Sequence, residues 1–139
     1  MFSFQKRAYK WLLAAFGGEH NAHSSADHPL SYVDGIAERI HRHWEESLEL
    51  GQSLGGTAEE AHQLVDYVFS RPAGEPYQEV GGTIVTLALL CEVAHINMEL
   101  AAEEELDRVW DKIEIIRAKR NSKPDLGPLP GFTIEGDYI

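Results

Sequence analysis

Three glutamates lie within five residues of one another in the stretch Glu45-Glu46-Ser-Leu-Glu49. If this stretch is helical, Glu46 and Glu49 lie one turn apart, and so do Glu45 and Glu49. Like charges at this spacing destabilise a helix by about 0.2–0.5 kcal/mol per pair, and a cation held between them reverses that sign. Carboxylate oxygens suit a hard ion such as Mg²⁺, which proteins bind through one or two carboxylates together with substrate phosphates. An acidic helix face exposed to water is the alternative, and this stretch alone leaves both open.

The acidic stretch belongs to the second of about five predicted helices, which extends over residues 31–50. Glu45 and Glu49 lie beside its apolar stripe, at the edge where a cleft would form, whereas Glu46 points further round the helix. The apolar residues of that stripe recur every four positions, and they are Ile36, Ile40, Trp44 and Leu48. The sequence therefore predicts that this helix buries the stripe and presents the carboxylates beside it.

One further helix is predicted before this one in the chain, and another after it. Apolar residues at helical spacing indicate a first helix over residues 2–16, which Gly17-Gly18 would end. The polar, histidine-rich residues 19–29 show no periodicity, so we predict a solvated loop there. The third helix opens with the capping box Thr57-Ala-Glu-Glu60.

The fourth predicted helix begins near Pro76 and is apolar nearly all round, so we expect it to be the central helix of a bundle. The pair Gly81-Gly82 inside it costs about 2 kcal/mol relative to alanines. Close packing of a helix, or close approach of a ligand, would explain that cost. Asn97 can cap a fifth helix, over residues 98–119, which is acidic at its start and basic at its end. That order of charges complements the helix dipole.

These elements predict an all-α protein: an oligomeric helical bundle of about five helices, with a four-helix core and an extended C-terminal tail. Its 139 residues contain no internal repeat, so we predict one domain. Residues 1–30 would form the first helix and a loop, and residues 31–120 the core helices. Prolines and glycines after residue 120 disfavour regular structure, so residues 121–139 would form the tail.

Charge and cysteine content exclude several classes of protein. The formal net charge of −11 argues against binding to duplex nucleic acid, because no basic surface remains to contact phosphates. The single cysteine, Cys91, cannot form an internal disulfide, and its apolar surroundings in the sequence predict a small buried side chain. One cysteine also fits a reducing compartment such as the cytoplasm. No apolar stretch reaches the ~18–20 residues that span a membrane, so we expect no membrane partner.

The order of segments in the chain resembles that of a known family. The Glu-Glu-x-x-Glu motif at residues 45–49 is followed, after a spacer, by Glu-Val-Gly-Gly at residues 79–82, which opens the next apolar helix. The spacer contains Ala-His-Gln-Leu-Val-Asp-Tyr-Val-Phe at residues 61–69, and residues 110–119 read Trp-x-Lys-Ile-Glu-x-Ile-Arg-Ala-Lys. In this order, over about residues 4–130, these segments resemble the MazG-like, all-α nucleoside triphosphate pyrophosphohydrolases, and in particular a subgroup common in bacteriophages and their hosts.

The resemblance implies an enzyme that hydrolyses (deoxy)nucleoside triphosphates to a monophosphate and pyrophosphate, and so controls nucleotide pools. It implies Mg²⁺ as the cofactor, for which Mn²⁺ can substitute, and self-association into dimers or tetramers. The expected location is the cytoplasm, which is that of the bacterial host if a phage encodes the protein. The glutamates that the family motifs assign to catalysis are Glu45, Glu46 and Glu49. The metal ligands that they assign are Glu46, Glu49 and Glu79. The candidates for binding the substrate are Arg42, Trp44, Lys112, Arg117 and Lys119.

One position departs from the family pattern, and it keeps other functions open. Gly82 stands where the family has an aspartate, so Asp66, Asp111 or water would have to supply the missing ligand. A relative that binds nucleotides without cleaving them is therefore one alternative, and a bundle that serves only protein interactions is another. A carboxylate-bridged di-iron bundle is a further alternative, because such bundles use Glu-x-x-His pairs. Three such pairs occur here: Glu38 with His41, Glu59 with His62, and Glu92 with His95.

Overall fold

The computed structural model of the chain describes residues 3–20 and 35–121. All the regular structure in these residues is helical, which confirms the predicted all-α class. The six helices are α1 (Phe4–His20), α2 (Ile36–Ser53), α3 (Ala58–Phe69), α4 (Pro76–Val93), α5 (Met98–Asp111) and α6 (Ile113–Asn121). The predicted histidine-rich loop after His20 and the predicted C-terminal tail lie outside the described residues.

Three of the predicted helices have other bounds in the structure. Helix α2 was predicted over residues 31–50, but it begins at Ile36 and continues through Gly51 to Ser53. Helix α1 continues through Gly17-Gly18 to His20, because two glycines weaken a helix without removing its hydrogen bonds. The predicted fifth helix is two helices, which meet at Lys112. The Lys112 N–H donates to the carbonyl of Val109 at 3.3 Å, three residues back, so the backbone tightens there before α6 begins. No glycine or proline marks this break in the sequence.

Three helices begin where the sequence indicates. The Glu60 N–H donates to the Thr57 hydroxyl oxygen at 3.2 Å, and the Thr57 N–H donates to the Glu60 carboxylate at 2.9 Å, so the capping box of α3 is confirmed. Helix α4 starts with Pro76 as its first residue. At the start of α5, the side-chain oxygen of Asn97 accepts a hydrogen bond from the Leu100 N–H at 2.8 Å.

The chain divides into two compact units. Unit 1 combines residues 1–47 with residues 106–139, and unit 2 comprises residues 48–105. The division falls within α2 and within α5, so each of these helices contributes residues to both units.

Unit 1 contains a small apolar core between α1 and α6. Leu12, Ala15 and Phe16 are buried there, and Ile113 and Ile116 of α6 pack against them. The Trp11 ring meets the Phe16 ring edge-on, with 6.1 Å between centroids, and its indole N–H donates to the carbonyl of Val109 at 3.0 Å. These contacts fix α1 against the last two helices. Leu12, Ala15 and Phe16 are three of the four apolar residues that are buried in the described part of this unit, and Leu106 of α5 is the fourth.

Unit 2 has almost no core. Cys91 is its only buried residue, as predicted for that side chain. We expected α4 to be a buried central helix, but Val85, Leu89 and Val93 are each more than half exposed. The described part of the chain does not cover these apolar side chains of α4.

No single helix in the described residues is long and apolar enough to cross a membrane. One pair, α4 with α5, reaches that length and composition together, and it is bent by 103°.

The capping box makes the stability of α3 depend on pH. The Thr57 backbone N–H, and secondly its hydroxyl, donate to the Glu60 carboxylate and lower the pKa of Glu60 below 4.5. This contribution to stability is therefore present above pH 4.5 and is lost as the pH falls below it, through the lowered pKa. We expect Thr57→Ala to raise the pKa of Glu60 part of the way back, because only the hydroxyl is lost. NMR titration of the carboxyl groups measures this, with Thr57→Ser as the control that keeps the hydroxyl. Equal pKa values of Glu60 in the two variants would contradict it.

The α1–α6 core should dominate the stability of unit 1. Phe16→Ala removes a buried ring, and we expect the free energy of unfolding to fall by about 3 kcal/mol. Leu13→Ala on the same helix is the matched control, since Leu13 is 44% exposed and should cost about 1 kcal/mol or less. Urea denaturation followed by circular dichroism gives both values. Similar losses in the two variants would show that α1 does not pack as described.

Candidate functional site

The acidic motif lies on one unbroken helix. Helix α2 runs from Ile36 to Ser53, so Glu45, Glu46 and Glu49 have the one-turn spacing that the sequence suggested. Glu46 and Glu49 are exposed, and Glu45 is partly buried. Carboxylates on adjacent turns of an exposed face can approach one ligand together without a change in the backbone.

Arg42 lies between two carboxylates of the same helix. Its Nε is 3.3 Å from the carboxylate of Glu38, one turn back, and its Nη1 forms an ion pair with Glu45, one turn forward. Glu38 is 4% exposed, and Arg39 also approaches it, at 3.6 Å. The guanidinium is therefore held in place beside the acidic motif and offsets part of its negative charge. The sequence analysis named Glu38 only as a partner of His41 and did not predict its burial or its pairing with Arg42, although the spacing of Glu38, Arg42 and Glu45 is that of helical ion pairs.

The apolar stripe of α2 is exposed, where burial was expected. Trp44 is 50% exposed, and its ring lies against the His41 ring with 6.3 Å between centroids. Ile36 and Leu48 are more exposed than Trp44. The carboxylates of the motif therefore have an accessible aromatic ring on the same helix.

The remaining proposed metal ligand, Glu79, lies in the first turn of α4, in unit 2. Its carboxylate folds back over Gly74: a Cβ placed on Gly74 would lie 2.0 Å from Glu79 Oε1. At Gly82, where the family pattern has an aspartate, an added Cβ would meet no atom within 4 Å. No described atom therefore crowds a Cβ at this position, and the carboxylate that the family pattern has there is absent.

No three His, Cys, Asp or Glu side chains within residues 3–20 and 35–121 form a group that could hold a metal ion. The absence of such a group applies to the proposed ligands Glu46, Glu49 and Glu79, and also to the histidines of the Glu-x-x-His pairs. The donor atoms are nevertheless those that a hard divalent cation prefers, and Mg²⁺ sites often complete their ligands with substrate phosphates and water. The carboxylates therefore have the chemistry that Mg²⁺ prefers, although the described residues do not gather three of them into one site.

The basic candidates differ in what their side chains do. The Arg117 guanidinium donates to the carbonyl of Ala14 at 3.1 Å and to that of Ala15, and it pairs with Glu114 at 2.9 Å. Arg117 therefore joins α6 to α1. Lys112, at the break between α5 and α6, and Lys119 have exposed side chains. Of the three, the two lysines are better placed to meet a phosphate.

The buried end of the Glu38–Arg42–Glu45 arrangement should matter for stability. Arg42→Ala removes one cation from a buried carboxylate, and we expect a loss of about 2 kcal/mol in the free energy of unfolding. Glu45→Gln breaks the more exposed end and should cost about 1 kcal/mol or less. Adding Glu38→Gln to Arg42→Ala should recover part of the loss, because the buried charge is then gone. The Glu38–Arg42 ion pair would have no energetic role if the double variant lost the sum of the stability losses measured for Glu38→Gln alone and for Arg42→Ala alone.

Comparison of the chain with models of protein families, with curated proteins and with solved structures found no match. The resemblance to the MazG-like enzymes stays a prediction from the order of its motifs.

Proposed function

We propose that this chain hydrolyses (deoxy)nucleoside triphosphates to a monophosphate and pyrophosphate, with Mg²⁺ as cofactor, in the cytoplasm. The observation that supports this most is the placement of Glu45, Glu46 and Glu49 at one-turn spacing on α2, with Arg42 held beside them. A triphosphate carries phosphates that bind Mg²⁺ and an anionic charge that a guanidinium can meet.

Charge makes a cation necessary in this proposal. The chain has a net charge of −11, and a triphosphate is also strongly anionic, so the two repel each other in the absence of a cation. Glu46, Glu49 and Glu79 are the residues that we propose hold Mg²⁺ when substrate is present. When bound, the ion would neutralise phosphate charge and polarise the phosphorus–oxygen bonds.

The protein's own residues would position and activate the reactants. Glu45, whose carboxylate Arg42 orients, is the proposed base that accepts a proton from the attacking water. Lys112 and Lys119 would contact phosphates, and the half-exposed ring of Trp44 offers a face on which a base can stack. Arg117, which contacts the carbonyls of α1, would support α6 instead of touching the substrate.

Two observations favour a second candidate, a regulator that binds nucleotides without cleaving them. Gly82 leaves open space where the family pattern has a metal-binding aspartate, and the described residues contain no group of three metal ligands. A chain with too few ligands could bind a triphosphate with its cation and still fail to activate water.

Release of pyrophosphate from a panel of ribo- and deoxyribonucleoside triphosphates tests the proposal. We expect release with Mg²⁺, none with EDTA, and a loss of about a hundredfold or more in Glu49→Gln, because a ligand is removed. Glu59→Gln is the matched control, since Glu59 is also an exposed helical glutamate and lies outside the motif. Calorimetric titration with the same nucleotides reports binding separately.

The outcomes separate the two candidates. Absence of release from every triphosphate, with Mg²⁺ and with Mn²⁺, would refute hydrolysis. Tight binding without release would then support the regulator.

A further inference from the structure

Arg71 is the only lysine or arginine of unit 2. The same residues, 48–105, contain eleven aspartates and glutamates. An exposed guanidinium among so many carboxylates is expected to turn toward one of them, because opposite charges attract at short range. The contacts that Arg71 makes instead therefore indicate what holds its side chain in place.

The Arg71 guanidinium lies on the ring of Tyr67. Its central carbon is 4.2 Å from the ring centroid, which is the distance of a cation–π contact. With the rest of residues 3–20 and 35–121 the guanidinium forms no ion pair and no hydrogen bond. A cation–π contact leaves the five N–H donors of a guanidinium without an oxygen acceptor. Both side chains are exposed, so these donors are accessible to an anion.

The backbone restricts where Arg71 can place its side chain. Ser70 caps the end of α3, and the Arg71 N–H donates to the carbonyl of Val68 at 3.2 Å. Pro72 follows, and a residue that precedes a proline is disfavoured from the helical conformation. The contact with Tyr67 then limits the rotamers of the side chain. A cation that is already held in one position loses less conformational entropy when it binds a ligand.

The connection between α3 and α4, residues 70–75, also carries a proposed Mg²⁺ ligand close to Arg71 in the chain. The carboxylate of Glu79 folds back over Gly74 of this connection. Residues 71 and 74 are three apart, so their Cα atoms lie within about 11 Å of each other. A guanidinium and a carboxylate that approach one connection from its two ends can bind the same phosphate chain, the carboxylate through a metal ion.

The two arginines that the sequence analysis assigned to the substrate already have oxygen partners. Arg42 pairs with the carboxylates of Glu38 and Glu45, and Arg117 donates to carbonyls of α1 and pairs with Glu114. Each would have to give up these contacts in order to bind a phosphate in a bidentate manner. Arg71 has no such contact to lose within the described ranges.

We propose that Arg71 binds a phosphate of the nucleoside triphosphate, beside the proposed Mg²⁺ ligand Glu79. Tyr67 is the positioning residue that holds the guanidinium in place. A phosphate offers the pair of oxygens that matches the fork of N–H donors. This inference rests on the proposed function, because the eleven carboxylates of unit 2 repel a triphosphate unless a cation accompanies it.

Calorimetric titration with inorganic triphosphate and Mg²⁺ tests the role of Arg71, because this probe has the phosphates and lacks the base. We expect Arg71→Ala to weaken the dissociation constant about tenfold or more, since charge-assisted hydrogen bonds are lost. Arg108→Ala is the matched control, because it removes the same charge from an exposed arginine of α5. It should leave the dissociation constant unchanged.

Variants of Tyr67 test how the guanidinium is positioned. Tyr67→Leu should weaken binding of the same probe about threefold, because the cation–π contact is lost, whereas Tyr67→Phe keeps the ring and should bind as the wild type does. In a chain that already carries Arg71→Ala, Tyr67→Leu should have no further effect on the affinity, because the ring acts through the guanidinium. A ring that only stabilised α3 would not show this dependence on Arg71.

Release of pyrophosphate by the same variants separates failure of this inference from failure of the proposed function. Hydrolysis by the wild type, with unchanged kcat and KM in Arg71→Ala, would overturn the role of Arg71 and leave the proposed function standing. Absence of release from the wild type, with weaker binding in Arg71→Ala alone, would refute hydrolysis and support Arg71 as a phosphate-binding residue.

Three other results would overturn the role of Arg71. One is a wild-type chain that binds neither inorganic triphosphate nor any nucleoside triphosphate with Mg²⁺. Another is an equal loss of affinity in Arg71→Ala and Arg108→Ala, which would show an effect of net charge alone. The third is a lower melting temperature of Arg71→Ala with unchanged affinity, since a positive charge at the C-terminal end of α3 would then only stabilise that helix.

Discussion

A helix with an apolar face must lay that face against something, and this requirement governs the whole chain. In unit 1 the apolar face of α1 meets it, because Leu12, Ala15 and Phe16 are covered by side chains of α6, whereas the apolar stripe of α2 stays exposed. Unit 2 contains helices of the same kind, with longer apolar runs, and covers Cys91 alone. Local hydrogen bonds shape both units, because caps begin the helices and the backbone N–H and C=O groups pair with one another within them. Burial is distributed very unequally, so the two units differ in what their stability depends on.

The acidic motif illustrates how a helix can combine charge with order. Glu38 is buried and ion-paired with Arg42, which in turn reaches Glu45 on the exposed side. Glu38 therefore holds the Arg42 guanidinium in place, and the guanidinium in turn holds the Glu45 carboxylate. Glu46 and Glu49 are exposed on the same helix. One helix thus presents both a constrained carboxylate, that of Glu45, and two accessible ones, those of Glu46 and Glu49.

Local signals in the sequence predicted most of the helices. Thr57, Pro76 and Asn97 begin helices because capping depends on residues within one turn. The same reasoning failed at Gly17-Gly18, where the helix continues, and at Lys112, where the helix is interrupted without a breaking residue. The helical class and the spacing of the acidic motif therefore followed from short-range rules. The contacts of Arg117 with α1 span about a hundred residues, and no local rule could indicate them.

The turn before α4 has a consequence for how sequences of this kind can diverge. The carboxylate of Glu79 occupies space that a side chain at position 74 would fill, and Gly74 has no unusual backbone conformation that demands glycine. A larger residue there would displace only the flexible end of Glu79. The size of the side chain at position 74 therefore affects where the Glu79 carboxylate lies, with little effect on the fold. Related sequences could shift this negative charge by a substitution at position 74 in the loop, while every residue with an obvious chemical role stayed the same.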